Sequence, residues 1–169
     1  MSEPWTSKRI LKEIADDDRR RNILGEFWRH GEASAKILAT AQLARALKFR
    51  EESIRKMPIE KKSDLLAARA GTAEFEQFID FALMQYHTSH QSEMMGKFLD
   101  AWSIPHENGS IEADEYKTPS TDEVKKAVSD VGASYDRRDV ALYLATAGLL
   151  MGEDWRTATW PAVDELMAG

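Results

Sequence analysis

Three of the four histidines of this 169-residue chain lie within 20 residues of one another, close to acidic side chains. His87, His90 and Glu93 are spaced three residues apart, so one uninterrupted helix would present all three from one face. Imidazole nitrogen and carboxylate oxygen are both ligands of zinc, and His106 follows as a further donor. One hypothesis is therefore a metal site formed by His87, His90, Glu93 and His106.

Two features of the sequence count against this metal site. Thr88 and Gln91 match the S/T-x-x-E/Q pattern of a capping box, which predicts that a new helix starts between the histidines. The chain also lacks H-E-x-x-H and the Glu-x-x-His pair of di-iron carboxylate proteins. The alternative is that these histidines hydrogen-bond locally at helix ends, and we expect no cofactor.

A second candidate site is the triplet His106, Glu107 and Asn108, which places a titratable base, a carboxylate and an amide side by side. These residues can bind a ligand as well as support chemistry. Gly109 follows them and allows the backbone to turn sharply. The triplet is therefore predicted as a binding site.

The segment around this triplet, residues 104–119, has no helical stripe and contains two prolines. It is longer than most connections in a compact domain, so the sequence predicts one long loop. Long ordered loops often carry function, and we expect a localised site where this loop meets the helix ends around His87 and His90. A plain solvated connection between two halves of a bundle is the alternative.

Several classes of enzyme are excluded by what the sequence lacks. The chain has no cysteine, so it has no disulfide framework, thiolate metal site or cysteine nucleophile. It also lacks G-x-S-x-G, S-x-x-K with its partner motifs, and the glycine-rich motifs that hold phosphates. Neither a serine nucleophile nor a nucleotide site of the common kinds is predicted.

Charge is distributed unevenly along the chain. Residues 1–62 carry 15 Lys or Arg and 10 Asp or Glu, whereas the remainder carries 8 and 19. A basic arm for nucleic acid or anionic lipid is one interpretation, and basic helices that pack against acidic ones are the other. Since no helix has a one-sided basic face, we expect no binding to duplex nucleic acid at physiological salt.

No membrane span or export signal is expected. The longest uncharged apolar run, Val140–Met151, has 12 residues, whereas a span needs about 18 or more. The first residues lack the apolar stretch of a secretory signal and become acidic early. Together with the absence of cysteine, these features predict a soluble cytoplasmic protein.

Helical periodicity covers most of the chain and strand-like alternation is hard to find. The expected fold is all-α: a compact single-domain bundle, or a short stack, of about seven or eight amphipathic helices with one long loop near residues 104–119. The domain spans residues 1–169. The core is predicted to contain the following apolar residues: Phe75, Phe78, Ile79, Leu83, Phe98, Leu99, Val128, Leu144 and Leu150.

The chain holds five tryptophans, more than a core of this size needs. Trp5 and Trp160 lie beside prolines near the termini and are expected to be partly exposed, and Trp160-Pro161 is expected to precede a short final helix. Tryptophan is enriched at binding hot spots. The leading functional hypothesis is a non-catalytic helical module that acts through protein–protein contacts, including self-association. The alternative is an enzyme or metalloprotein of unfamiliar type built on the His/Glu candidates.

Overall fold

The computed structural model describes residues 3–169, and over that range it contains ten α-helices and one two-stranded sheet. Eight of these ten helices have nine residues or more. The all-α prediction is therefore confirmed. The expected number of seven or eight helices is exceeded by the two shortest, which have three and five residues. The helices are α1 (Ser7–Arg9), α2 (Asp17–His30), α3 (Ala33–Leu47), α4 (Glu51–Arg55), α5 (Ile59–Ala67), α6 (Ala73–His90), α7 (Ser92–Ala101), α8 (Thr121–Asp130), α9 (Arg137–Leu150) and α10 (Glu153–Ala168).

The chain divides into two compact units. The first unit contains the N-terminal residues up to Ile10 together with His87–Gly169, and the second contains Leu11–Tyr86. A π-helix (Ile10–Ile14) follows α1, and a 3-10 turn (Gly132–Ser134) connects α8 to α9. A single domain over residues 1–169 stays a prediction.

Local capping fixes where several helices begin. Asp16 accepts a hydrogen bond from the Arg19 N–H at 2.9 Å and starts α2, and Ser120 forms a reciprocal capping box with Glu123 at the start of α8. Asp136 accepts from the Arg138 N–H at 2.8 Å and starts α9. Each cap satisfies backbone donors that the first helical turn leaves open.

The capping box predicted at Thr88 is wrong. α6 continues through Thr88 to His90, and α7 begins only after Gln91, which makes no side-chain cap. Tyr86 and His87 are buried on the last turns of α6. Burial of these side chains stabilises the helix past Thr88, because packing overrides a local sequence preference.

The core of the second unit is aromatic. The Phe27 ring lies 5.1 Å from Phe78 and 5.0 Å from Trp28, in tilted and edge-on arrangements that aromatic pairs prefer. Ile79 and Leu83 on the same stripe of α6 are fully buried. The predicted core residues Phe75, Phe78, Ile79 and Leu83, which have the spacing i, i+3, i+4 and i+8 on one face of α6, are thus confirmed.

The core of the first unit surrounds α9, in which nine consecutive residues from Val140 to Gly148 are buried. The rings of Tyr143 and Trp102 flank Phe98 at 5.6 and 5.5 Å. Leu144 and Leu99 are buried as predicted.

Three of the burial predictions for the first unit need correction. Val128 is only half-buried, and Leu150 is 38% exposed because it lies at the end of α9, where fewer neighbours cover a side chain. Trp5 is fully buried rather than exposed, and its indole N–H donates to Asp164 at 3.0 Å. A polar partner allows the whole indole to leave solvent. Trp160, by contrast, is partly exposed as predicted.

The predicted helix start after Trp160 is also wrong, because α10 runs through Pro161 without interruption. Proline has no N–H, so the carbonyl of Thr157, one turn earlier, loses its helical donor. The hydroxyl of Thr121 donates to that carbonyl at 3.2 Å. A side chain from α8 thus compensates for the proline, which sequence patterns cannot show.

Candidate functional site

The segment predicted as one long loop contains a β-hairpin. Strands β1 (His106–Glu107) and β2 (Ser110–Ile111) pair antiparallel, with His106 opposite Ile111. Asn108 and Gly109 connect them with φ angles of 51° and 86°. Positive φ at both central residues is the requirement of a tight primed turn, whose twist matches that of the paired strands. The expectation of a segment without secondary structure is therefore corrected.

His106 fixes this hairpin to α7. Its Nε2 lies 2.7 Å from Asp100 Oδ1, and its Nδ1 accepts the Gly109 N–H at 3.2 Å. Because Nδ1 accepts a hydrogen bond, the neutral ring carries its proton on Nε2 and donates it to Asp100. Both ring nitrogens are engaged. The imidazole therefore has no open lone pair for proton abstraction from a substrate in this arrangement.

A cavity of about 350 Å³ lies between α7 and the hairpin, both in the first unit. Glu93, Lys97 and Asp100 contribute to it from α7, and His106 and Asn108 contribute from the hairpin. Glu93 forms an ion pair with Lys97 at 3.3 Å. The structure thus brings together three predicted site residues, Glu93, His106 and Asn108, but Glu93 is paired with Lys97 and His106 is hydrogen-bonded to Asp100. Glu107 is exposed on β1, outside the lining of this cavity.

His87 and His90 do not join this cavity. His87 is 3% exposed, with Nε2 at 3.2 Å from Thr146 Oγ1 and its ring edge-on to Tyr143. Burial lowers its pKa to about 4, because the interior penalises the charged form. His90 is exposed at the end of α6.

The four predicted metal ligands are therefore not assembled. Within residues 3–169, no group of three or more His, Asp or Glu side chains is placed to hold a metal ion. His87 packs in the interior beside α9, whereas His106 binds Asp100 of α7. The helix break after His90 separates residues that a continuous helix would have aligned on one face.

We expect the substitution Gly109→Ala to destabilise the protein by about 1–3 kcal/mol. The glycine has a φ of 86°, and an added Cβ would lie 2.8 Å from the backbone oxygen of Ser92. Equilibrium urea unfolding measures the change. Gly132→Ala is the control, because its Cβ would meet Val140 at an ordinary 3.6 Å. Equal effects of the two substitutions would contradict the role assigned to the turn.

The second unit has a cavity that the sequence analysis missed. It has a volume of about 320 Å³ and lies among four helices, α2 to α5. Lys36 and Ile37 contribute from α3, Arg55 from α4, Lys62 from α5 and Trp28 from α2. Ala33, Thr40 and Glu51 complete the lining. We call this site the basic cavity.

Positive charge dominates the basic cavity. Within the part of the chain that the structure describes, no ion pair holds Lys36, Arg55 or Lys62. The ammonium of Lys62 lies 4.6 Å from the centre of the Trp28 ring, a favourable cation–π distance. Burial, and then the charge of Lys36, lower the pKa of Lys62. The cavity thus holds cations that lack acidic partners.

Exposed apolar side chains are concentrated in the part of the sequence that supplies most of the cavity lining. Of the seven large apolar side chains exposed in the described structure, four lie between residues 37 and 59. They are Ile37 (70% exposed), Leu38 (45%), Phe49 (49%) and Ile59 (36%), which we call the α3–α5 surface. Residues 33–62 also carry eight Lys or Arg against three Glu. This local charge excess was the sequence signal that could have located the site.

Comparisons of the chain with protein-family models, with curated proteins and with solved structures found no match. Among residues 3–169, none of the helices combines the length and the apolar character that crossing a bilayer requires. The features that bear on function are the two cavities described above and the α3–α5 surface.

Proposed function

We propose that this protein is a non-catalytic helical module that acts through protein–protein contacts, with its contact area on the α3–α5 surface. The observation that supports it is the concentration of exposed apolar side chains between residues 37 and 59. Ile37 and Leu38 are consecutive residues of α3, and Ile37 also lines the basic cavity. Exposed apolar groups beside polar ones are typical of recognition sites. Aliphatic and aromatic side chains supply the area buried on binding, and charged neighbours select the partner.

The alternative of an enzyme or metalloprotein has less support. His106 uses both ring nitrogens to hold the hairpin on α7, and His87 is occupied in the interior. An unengaged base beside a nucleophile, or a convergent set of metal donors, would favour catalysis. Within residues 3–169 the side chains are not grouped in this way around either cavity.

The proposal includes a cytoplasmic location, which fits a chain without cysteine. It includes a protein rather than a nucleic acid or a membrane as the partner, since the chain carries a net charge of −6. The partner is either another protein or a second copy of this chain.

Affinity capture from the native cell, combined with light scattering of the purified protein, tests the proposal. We expect wild-type protein either to retain a partner in stoichiometric amount or to form a dimer. The double substitution Ile37→Ser/Leu38→Ser should abolish that association. Leu150→Ser/Met151→Ser is the control, because it makes the same kind of change at two consecutive exposed side chains of the other unit, which are 38% and 42% exposed against 70% and 45% for Ile37 and Leu38. No association by the wild type, or equal loss in both variants, would contradict the proposal.

A further inference from the structure

We propose that the basic cavity is the specificity site of this module and binds an acidic peptide segment that also carries apolar side chains. This inference rests on the proposed function and names its partner class. The cavity and the α3–α5 surface share Ile37, so one bound segment would contact both.

The basic cavity gathers cations from several helices. Lys36, Arg55 and Lys62 come from three different helices and line one cavity. A solvated helix face presents its charges outward, usually paired along the same helix as in Lys56 and Glu52, which lie 3.1 Å apart. Three cations that converge without such pairs form a ready site for carboxylates. Glu51, the acidic residue in the lining, carries one negative charge and cannot neutralise three positive ones.

The charged form of Lys62 is disfavoured in the basic cavity. Lys62 is half-buried against Trp28, where hydration of its ammonium is reduced. Lys36 adds repulsion of like charge, and both effects lower the pKa of Lys62. A carboxylate placed between the two lysines would relieve this repulsion. Anion binding is therefore favoured most strongly between Lys36 and Lys62, where the repulsion between like charges is greatest.

The apolar part of the cavity lining favours a peptide over nucleic acid. Ile37 and Trp28 give the cavity apolar walls, and Ile37 is also 70% exposed. A sugar–phosphate backbone offers no aliphatic side chains to cover such a surface, and its affinity depends on an extended row of cations. A peptide in which Glu or Asp is interspersed with Leu or Phe complements both features.

Fluorescence anisotropy with a labelled peptide, in which Glu alternates with Leu and Phe, tests the inference at about 0.15 M salt. Two comparison peptides replace Glu by Lys or the apolar residues by Ser. We expect saturable binding of the first peptide only. The variant Lys36→Gln/Lys62→Gln should weaken it about tenfold or more, since charge-assisted contacts to both lysines are lost.

The matched control is Arg45→Gln/Lys61→Gln. It removes the same charge from the same two helices, α3 and α5, at exposed positions outside the cavity lining. We expect this control to bind like the wild type, and circular dichroism verifies that both variants keep their helices. Equal affinities of the two variants, or no binding to wild type, would overturn the inference.

A labelled single-stranded RNA and a labelled DNA duplex provide the last comparison. The inference would be overturned in favour of nucleic acid if either probe bound more tightly than the peptide and if Lys36→Gln/Lys62→Gln lost that nucleic-acid binding. The two proposals fail separately. If capture depends on Ile37 and Leu38 but the peptide does not depend on the two lysines, only the inference fails. If no association occurs but the peptide binds through the lysines, only the proposed contact function fails.

Discussion

Lowering the pH from 7 to 4 is expected to reduce the free energy of unfolding by about 3 kcal/mol through His87 alone. Burial lowers the pKa of His87 from 6.5 to about 4. Between these two values the unfolded chain binds a proton that the folded chain does not. Stability from this residue is therefore complete above the unfolded pKa, and it is lost as the pH falls from 6.5 toward 4.

Urea unfolding at a series of pH values, in wild type and in His87→Asn, measures this contribution. Asparagine keeps a polar group near Thr146 Oγ1, which lies 3.2 Å from His87 Nε2, and it does not titrate. The other three histidines and the Asp100–His106 contact are present in both proteins, so their effects cancel in the difference. Parallel stability curves between pH 4 and 6.5 would show that His87 is not buried as a neutral ring.

Much of the fold is predictable because its signals are local. Asp16, Ser120 and Asp136 act on backbone groups two or three residues away, so their side chains alone mark the start of a helix. The stripe of α6 is visible for the same reason, since its spacing repeats within one element. Thr88 shows the limit of this reasoning. Its pattern is that of a cap, but burial of neighbouring side chains decides the outcome.

The candidate sites depend on contacts that no local pattern contains. The Asn108-Gly109 turn is visible in the sequence, but strands of two residues are too short to show alternation. Lys36 and Lys62 are far apart in the chain and become neighbours only because α3 and α5 border one cavity. Helix packing determines which surface charges converge, and a sequence pattern gives only their local excess.

The largest effect of a single added methyl group is expected for Gly148→Ala in α9. An added Cβ would overlap the indole of Trp160, coming within 2.7 Å of Cδ1, and would lie 2.9 Å from Thr159 Oγ1. The glycine therefore allows α10 to approach α9 closely enough for the Trp160 N–H to donate to the Ala145 carbonyl at 3.2 Å. We expect a loss of about 2–3 kcal/mol, from overpacking and from weakening of this hydrogen bond.

A double-mutant cycle with Trp160→Ala separates this close approach from other effects of alanine. Removal of the ring opens space for the new methyl group, so Gly148→Ala should then cost much less. The remaining cost comes from Thr159 Oγ1, which would lie 2.9 Å from the new Cβ, and it is partly offset because alanine is favoured over glycine in a helix interior by about 1 kcal/mol. The coupling between the two substitutions, measured by denaturant unfolding, is expected to exceed about 1 kcal/mol. Additive effects would mean that contact with Trp160 is not the reason for glycine at this position.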